Sequence, residues 1–136
     1  MKKIVFSLFI TLLVAAPIFT ATAEPAPSFA QIVDHLDGNK NTKLHVQEYW
    51  KGIKGQEVTW TGEVYDVQGG SSKAKVYVAD KSRPLHKGYN IVVITHDISK
   101  AANLKKGQRF RFKGILEDYD SKNPGAVIEL KEAQIL

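Results

Sequence analysis

The segment Asp37-Gly38-Asn39-Lys40-Asn41-Thr42-Lys43-Leu44-His45-Val46-Gln47-Glu48 places oxygen donors at the spacing of a calcium-binding loop. An EF-hand loop takes its ligands from positions 1, 3, 5, 7 and 12, the seventh through a backbone carbonyl. Here those positions hold Asp37, Asn39, Asn41, Lys43 and Glu48, with apolar Leu44 at position 8. Two departures weaken the pattern. Thr42 occupies position 6, where the sharp turn favours glycine. Asp37 and Glu48 are the only carboxylates, set against Lys40 and Lys43. Such a site holds calcium weakly, so no cofactor is required. The simpler alternative is a polar turn between two helices.

A second constellation is basic and aromatic. Lys73, Lys75 and Tyr77 alternate along one predicted strand, Arg109, Arg111 and Lys113 along another, and Tyr89 opens a third. Cations interleaved with aromatic rings suit an anionic ligand or stacked bases. Two tyrosines make a thin stacking platform, and a charged strand face is also what solvent exposure requires. Catalytic patterns are absent. The histidines at 35, 45, 86 and 96 show no His-x-x-x-His spacing, and no Gly-x-Ser-x-Gly or phosphate loop occurs. Asp66, Asp80, Glu117 and Asp118 lack a spacing that marks a nuclease-like hydrolase. A non-catalytic protein is expected.

The elements that position these residues follow from periodicity. Ser28 caps a helix whose apolar face is Phe29, Ile32, Val33 and Leu36, and residues 37–41 break it. Thr42 caps a second helix with Val46, Tyr49, Trp50 and Ile53 on its apolar face, stopping near Gly55. The period then becomes two. Val58, Trp60, Gly62 and Val64 alternate with polar residues, and Gly62 suggests a bulge or bend, supported by the phase shift at Tyr65 and Val67. Further strands are expected over 73–79, 89–95 (central), 109–116 and 126–136. Val76, Val78, Phe110 and Phe112 point inward. A short helix capped by Asp97 or Ser99 buries Ile98, Ala102 and Leu104 and ends at Gly107. Five strands with a helix between the third and fourth give a mainly β protein, a five-stranded OB-fold barrel, here with an N-terminal helical extension. An open β-sandwich is the alternative.

Residues 1–23 read as a signal peptide. Lys2 and Lys3 precede an apolar run from Ile4 to Ala16, Pro17 ends it, and Ala21-Thr22-Ala23 offers a cleavage site before Glu24. The run is short for a spanning helix. The chain has no cysteine, which closes lipid attachment and disulfides alike. The expected organisation is signal peptide 1–23, linker 24–27, helical pair 28–54 and barrel 55–136. The expected location is the periplasm or the exterior, with no membrane span after cleavage. Removing Lys2 and Lys3 lowers the formal charge of +5 by two, leaving a mildly basic protein. That is compatible with an anionic partner without demanding one.

The stretch Gly55-Gln56-Glu57-Val58-Thr59-Trp60-Thr61-Gly62-Glu63-Val64-Tyr65-Asp66-Val67 resembles the first strand of small bacterial OB-fold proteins of the tRNA-anticodon-like family, with its G-x-x-V-x-W-x-G-x-V-x-x-V pattern. Leu104-Lys105-Lys106-Gly107-Gln108-Arg109-Phe110-Arg111-Phe112-Lys113-Gly114 resembles that family's L-x-x-G-x-x-V-x-F-x-G approach to the fourth strand, with Phe110 in place of valine. The resemblance spans about Thr42 to Leu136 and implies the fold, without catalytic residues. More loosely, the chain resembles exported OB-fold proteins linked to stress tolerance.

Three functions remain in play. The first is an exported binding module that takes a periplasmic protein or an anionic ligand across the faces of strands two and three. The second is a cation-responsive stress module using loop 37–48. The third is a single-stranded nucleic acid binder or nuclease-like enzyme, which a periplasmic address disfavours. Oligomeric state is open.

Overall fold

The computed structural model describes residues 25–136. The segment read as a signal peptide, and Glu24, lie outside the described residues. Among those described, no helix is long and apolar enough to cross a membrane.

Helix α1 (Phe29–Leu36) starts where its capping chemistry dictates. The Ser28 hydroxyl accepts from the Gln31 backbone N–H, and the Gln31 side chain accepts from the Ser28 N–H, satisfying two otherwise orphaned donors. Helix α2 (Lys43–Ile53) is capped by Thr42, whose hydroxyl accepts from the His45 N–H. Five strands follow: β1 (Glu57–Gly69), β2 (Ala74–Ala79), β3 (Ile91–Thr95), β4 (Arg109–Ser121) and β5 (Ala126–Ile135). Helix α3 (Ile98–Ala102) lies between β3 and β4.

The strands close in the order β1-β2-β3-β5-β4, and β4 pairs back onto β1. Only β3 and β5 run parallel. This strand order, with a helix between the third and fourth strands, is the OB-fold arrangement. Closure leaves the sheet without an edge, so the sandwich alternative gives way to a continuous barrel, in which β3 lies between β2 and β5. β1 serves both sides: Glu57 to Glu63 pair with β4, and Glu63 to Gly69 pair with β2.

Several local expectations are corrected. The bulge in β1 falls between Val64 and Asp66, not at Gly62. It makes Tyr65 the extra residue and turns it outward, 45% exposed. Gly62 is needed for a different reason: a Cβ there would stand 2.4 Å from Val78 Cγ1. β3 begins at Ile91, because Tyr89 is held in a separate bridge with His86. Asp97 caps α3, which ends at Ala102, and Ala101 is its buried residue. Ala102 is exposed, while Ile98 and Leu104 are half-buried. β4 continues past Leu116 to Ser121. The inward phase of β5 slips at Glu132, whose φ is +48°, so Ala126, Ile128 and Leu130 are followed by Ala133 and Ile135.

The helical pair shares one core with the barrel. Phe29 meets Trp60 edge-on at 5.5 Å, and the Trp60 indole N–H donates to the Pro27 carbonyl. Trp50 packs on Tyr119 of β4 at 4.8 Å. The motif residues resembling the OB family also close on one another, since Gly107 N–H donates to Val64 O and Val64 N–H to Gln108 O.

Candidate functional site

The outward residues of β2 and β3 form a face on which three tyrosines gather. Tyr89 lies 4.8 Å from Tyr77, edge to face, and 5.9 Å from Tyr65. Tyr65 reaches this cluster because the β1 bulge turns it out, and its ring lies against Gly88. A Cβ at Gly88 would stand 2.3 Å from that ring, and Gly88 has φ +96°, so glycine is required on both counts. Tyr77 donates from its hydroxyl to the Gln68 side-chain oxygen. Sequence reading named Tyr77 and Tyr89 but missed Tyr65. The phase shift at Tyr65 and Val67 was its only signal.

Beside the tyrosines, the face is mixed in charge. Tyr77 sits between Asp66 of β1 and Val92 of β3, and Val92 is followed across the sheet by Glu129 of β5. Lys75 sits between Gln68 and Ile94 and is exposed. Half-buried Val92 and Ile94 supply apolar surface. The β1–β2 turn (70–73) borders the Ala74–Thr95 end of this face, and the β4–β5 turn (122–125) borders the Ile91–Ile128 end. Lys73 lies in the first of these turns rather than in β2, with its carbonyl accepting from Gly70 N–H.

Arg109, Arg111 and Lys113 do not join that cluster. They lie on β4, across the other side of β1, opposite Glu63, Thr61 and Thr59. Lys113 approaches Glu57 at 3.9 Å, and Glu63 binds Lys81 at 3.0 Å. The seven face residues expected from sequence therefore form two groups separated by a strand.

The loop read as a cation site is a six-residue turn, Asp37 to Thr42, running directly into α2. Lys43 is the first residue of that helix, where a carbonyl takes part in helical hydrogen bonding rather than facing an ion. Asp37 Oδ1 accepts from Asn39 N–H at 2.8 Å. Asn39 donates to the Asn123 side chain at 2.8 Å, tying the turn to the β4–β5 turn. Asn41 donates to the carbonyls of Asp34, His35 and Asp37, closing the end of α1. Glu48 is exposed on α2. Among the described residues, no group of three or more His, Asp or Glu side chains is placed to hold a metal ion. A cleft of about 420 Å³ lies between this turn and Tyr119, Lys122 and Asn123.

No family model matches this chain, and no curated protein does. Among solved structures it is similar to the OBody AM3L09 bound to hen egg-white lysozyme, at 23% identity and TM-score 0.46, covering 62% of this chain and 85% of that one. It is also similar to asparaginyl-tRNA synthetase from Pyrococcus horikoshii, at 18% identity and TM-score 0.45, covering 66% of this chain and 22% of the synthetase. Aspartyl tRNA synthetase from Entamoeba histolytica shows 10% identity and TM-score 0.46 over 65% of this chain and 20% of its own length. The chain thus spans about a fifth of either synthetase. The OB-fold assignment stands on strand order and helix placement, independently of these likenesses.

Proposed function

We propose that this chain is an exported, non-catalytic binding module whose partner docks on the outer face of β2 and β3. The observation that carries the reading is the convergence of Tyr65, Tyr77 and Tyr89 beside Lys75. Tyrosines give large contact area with little entropy to lose, and they are enriched at protein interfaces. Asp66 and Glu129 flank the rings, so a periplasmic protein or peptide of mixed charge suits this face better than a polyanion. The helical pair is part of the module and secures the β4–β5 turn through Asn39 and Asn123. Cleavage before Glu24 belongs to the same proposal, and mass spectrometry of the exported chain tests it.

The test of the face compares capture of periplasmic proteins with binding of fluorescent oligonucleotides and acidic glycans at two salt concentrations. Saturable binding that Tyr65→Ala and Tyr77→Ala each weaken supports the face. Binding insensitive to both, yet lost on Arg109→Ala with Arg111→Ala, moves the site to β4 and overturns the proposal. Strongly salt-dependent oligonucleotide binding would replace the protein partner with single-stranded nucleic acid.

A further inference from the structure

The cleft of about 420 Å³ between the α1–α2 turn and the β4–β5 turn has the size of a small-molecule site, about 300–1,000 Å³. Its apolar lining comes from Leu36, Val46 and Tyr119. Leu36 and Val46 are buried, Tyr119 is half-buried, and Trp50 backs the Tyr119 ring at 4.8 Å. Its polar lining is amide and ammonium: Lys43 and Lys122 line it, and none of its described lining residues carries a carboxylate. Lys122 is already held by Asp120 at 2.9 Å, whereas Lys43 forms no ion pair among the described residues. We propose that this cleft binds one acidic sugar residue, a pyranose ring bearing a carboxylate.

The amide pair selects a sugar over a bare anion. Asn39 Nδ2 donates to Asn123 Oδ1 at 2.8 Å, which fixes both side chains. Each amide has a second polar end, and among the described residues neither the Asn39 oxygen nor the Asn123 nitrogen has a protein partner. Reversing both amide orientations leaves the same pair, one donor and one acceptor. Hydroxyls both donate and accept, so neighbouring hydroxyls on a sugar ring satisfy both ends. Phosphate or another bare anion only accepts, and it gains nothing from the Asn39 oxygen. The apolar C–H groups of the ring suit Leu36, Val46 and Tyr119, and the carboxylate suits the free Lys43 ammonium. A neutral sugar leaves that ammonium unused. No residue of the tyrosine face lines this cleft, so the site stands or falls separately from that face.

The experiment titrates the purified, isotope-labelled protein with a galacturonic acid disaccharide and follows backbone and side-chain amide signals by NMR. The neutral galactose disaccharide and inorganic phosphate are titrated in parallel. The expected result is saturable shifts at Asn39, Lys43, Tyr119 and Asn123 with the acidic disaccharide, tighter than with either comparison probe. Lys43→Gln should weaken the acidic disaccharide by about two- to fivefold, the range for an exposed charge pair, and leave the neutral one unchanged. Asn123→Asp keeps an oxygen to accept from Asn39 while replacing the free donor with negative charge, so it should abolish the shifts. Lys105→Gln removes an equal charge at a residue that does not line the cleft and should change nothing. Both Lys43 and Asn123 are exposed, so their variants should melt with the parent. Absence of saturable shifts at these residues overturns the proposal. Equal affinity for the neutral disaccharide or for phosphate overturns it too, as does a Lys43→Gln protein that binds like the parent.

Discussion

Asp34 of α1 grips Arg83 of the β2–β3 loop through two contacts, Nε to Oδ1 at 2.9 Å and Nη2 to Oδ2 at 2.6 Å. Planar guanidinium and carboxylate match in this two-point geometry, which fixes orientation as well as distance. The pair spans 49 residues of sequence and fastens the helical hairpin to the loop that carries Gly88 and Tyr89. Lys40 adds a longer contact to the same carboxylate at 3.4 Å.

This pair makes part of the stability acid-sensitive. The Arg83 hydrogen bond holds the Asp34 carboxyl below its ordinary value of 3.8, with burial opposing and the charges of Arg83 and Lys40 assisting. A carboxyl whose folded pKa is depressed stabilises above its unfolded pKa, and that contribution fades as pH falls through the folded value. Both partners are partly exposed and screened by solvent, so the effect should be small. Asp34→Asn is expected to lower the urea midpoint at neutral pH, with a smaller deficit from the parent at acidic pH, where the Asp34 charge is being lost. A deficit of equal size at both pH values would assign the loss to packing instead.

The barrel interior rests on Phe112. Its side chain is fully buried, lies 5.0 Å from Phe110 and faces the β1 half that carries Trp60. Phe112→Ala should cost about 3–5 kcal/mol. That is a large share of a total stability of about 5–15 kcal/mol. A chemical-denaturation midpoint close to that of the parent would contradict the placement.

What sequence revealed and what it missed divide by range. Ser28 and Thr42 marked both helix starts correctly, because capping is settled within four residues. Trp60, Phe110 and Phe112 were readable as inward, because strand alternation is local. The cluster of Tyr65 with Tyr89 was not, since it depends on a bulge in β1 meeting Gly88 across the barrel surface. The His35–His45 contact was hidden by a spacing of ten residues, matching no helical or strand period. Arg109 and Tyr77 looked like one face only until the pairing placed β1 between their strands. For the Asp37–Glu48 pattern, spacing showed the donors but not their hydrogen-bond partners: Thr42 caps α2, so Lys43 is already its first helical residue.

Calcium should therefore have little effect. The Asn41 amide closes α1, and Asn39 is bonded to Asn123. Rearranging these to surround an ion would sacrifice hydrogen bonds worth about 0.5–1.5 kcal/mol each. Adding calcium to millimolar levels is expected to leave the melting temperature and the tyrosine and tryptophan fluorescence unchanged. A saturable stabilisation that Glu48→Gln removes would restore the cation reading of this loop.

The last expectation concerns Gly62 and Val78. The two occupy neighbouring strands, and Val78 Cγ1 fills the space where a residue-62 Cβ would stand, 2.4 Å away. Ala79 O and Phe112 Cε1, at 3.4 and 3.8 Å from the same point, leave the new methyl little room to shift. Val78 itself is fully buried, so it cannot swing into solvent. Gly62→Ala should thus destabilise by about 1–3 kcal/mol through overpacking. Val78→Ala alone should also destabilise, by roughly 2 kcal/mol, because it leaves a cavity. Combined, the two changes should cost less than their sum, with a favourable coupling of about 0.5–3 kcal/mol, as the added methyl occupies part of the space that Val78 vacates. The measurement is a double-mutant cycle from urea denaturation. Strict additivity would mean that Gly62 is required for something other than the approach of Val78, and the close contact between β1 and β2 would lose its role in selecting glycine there.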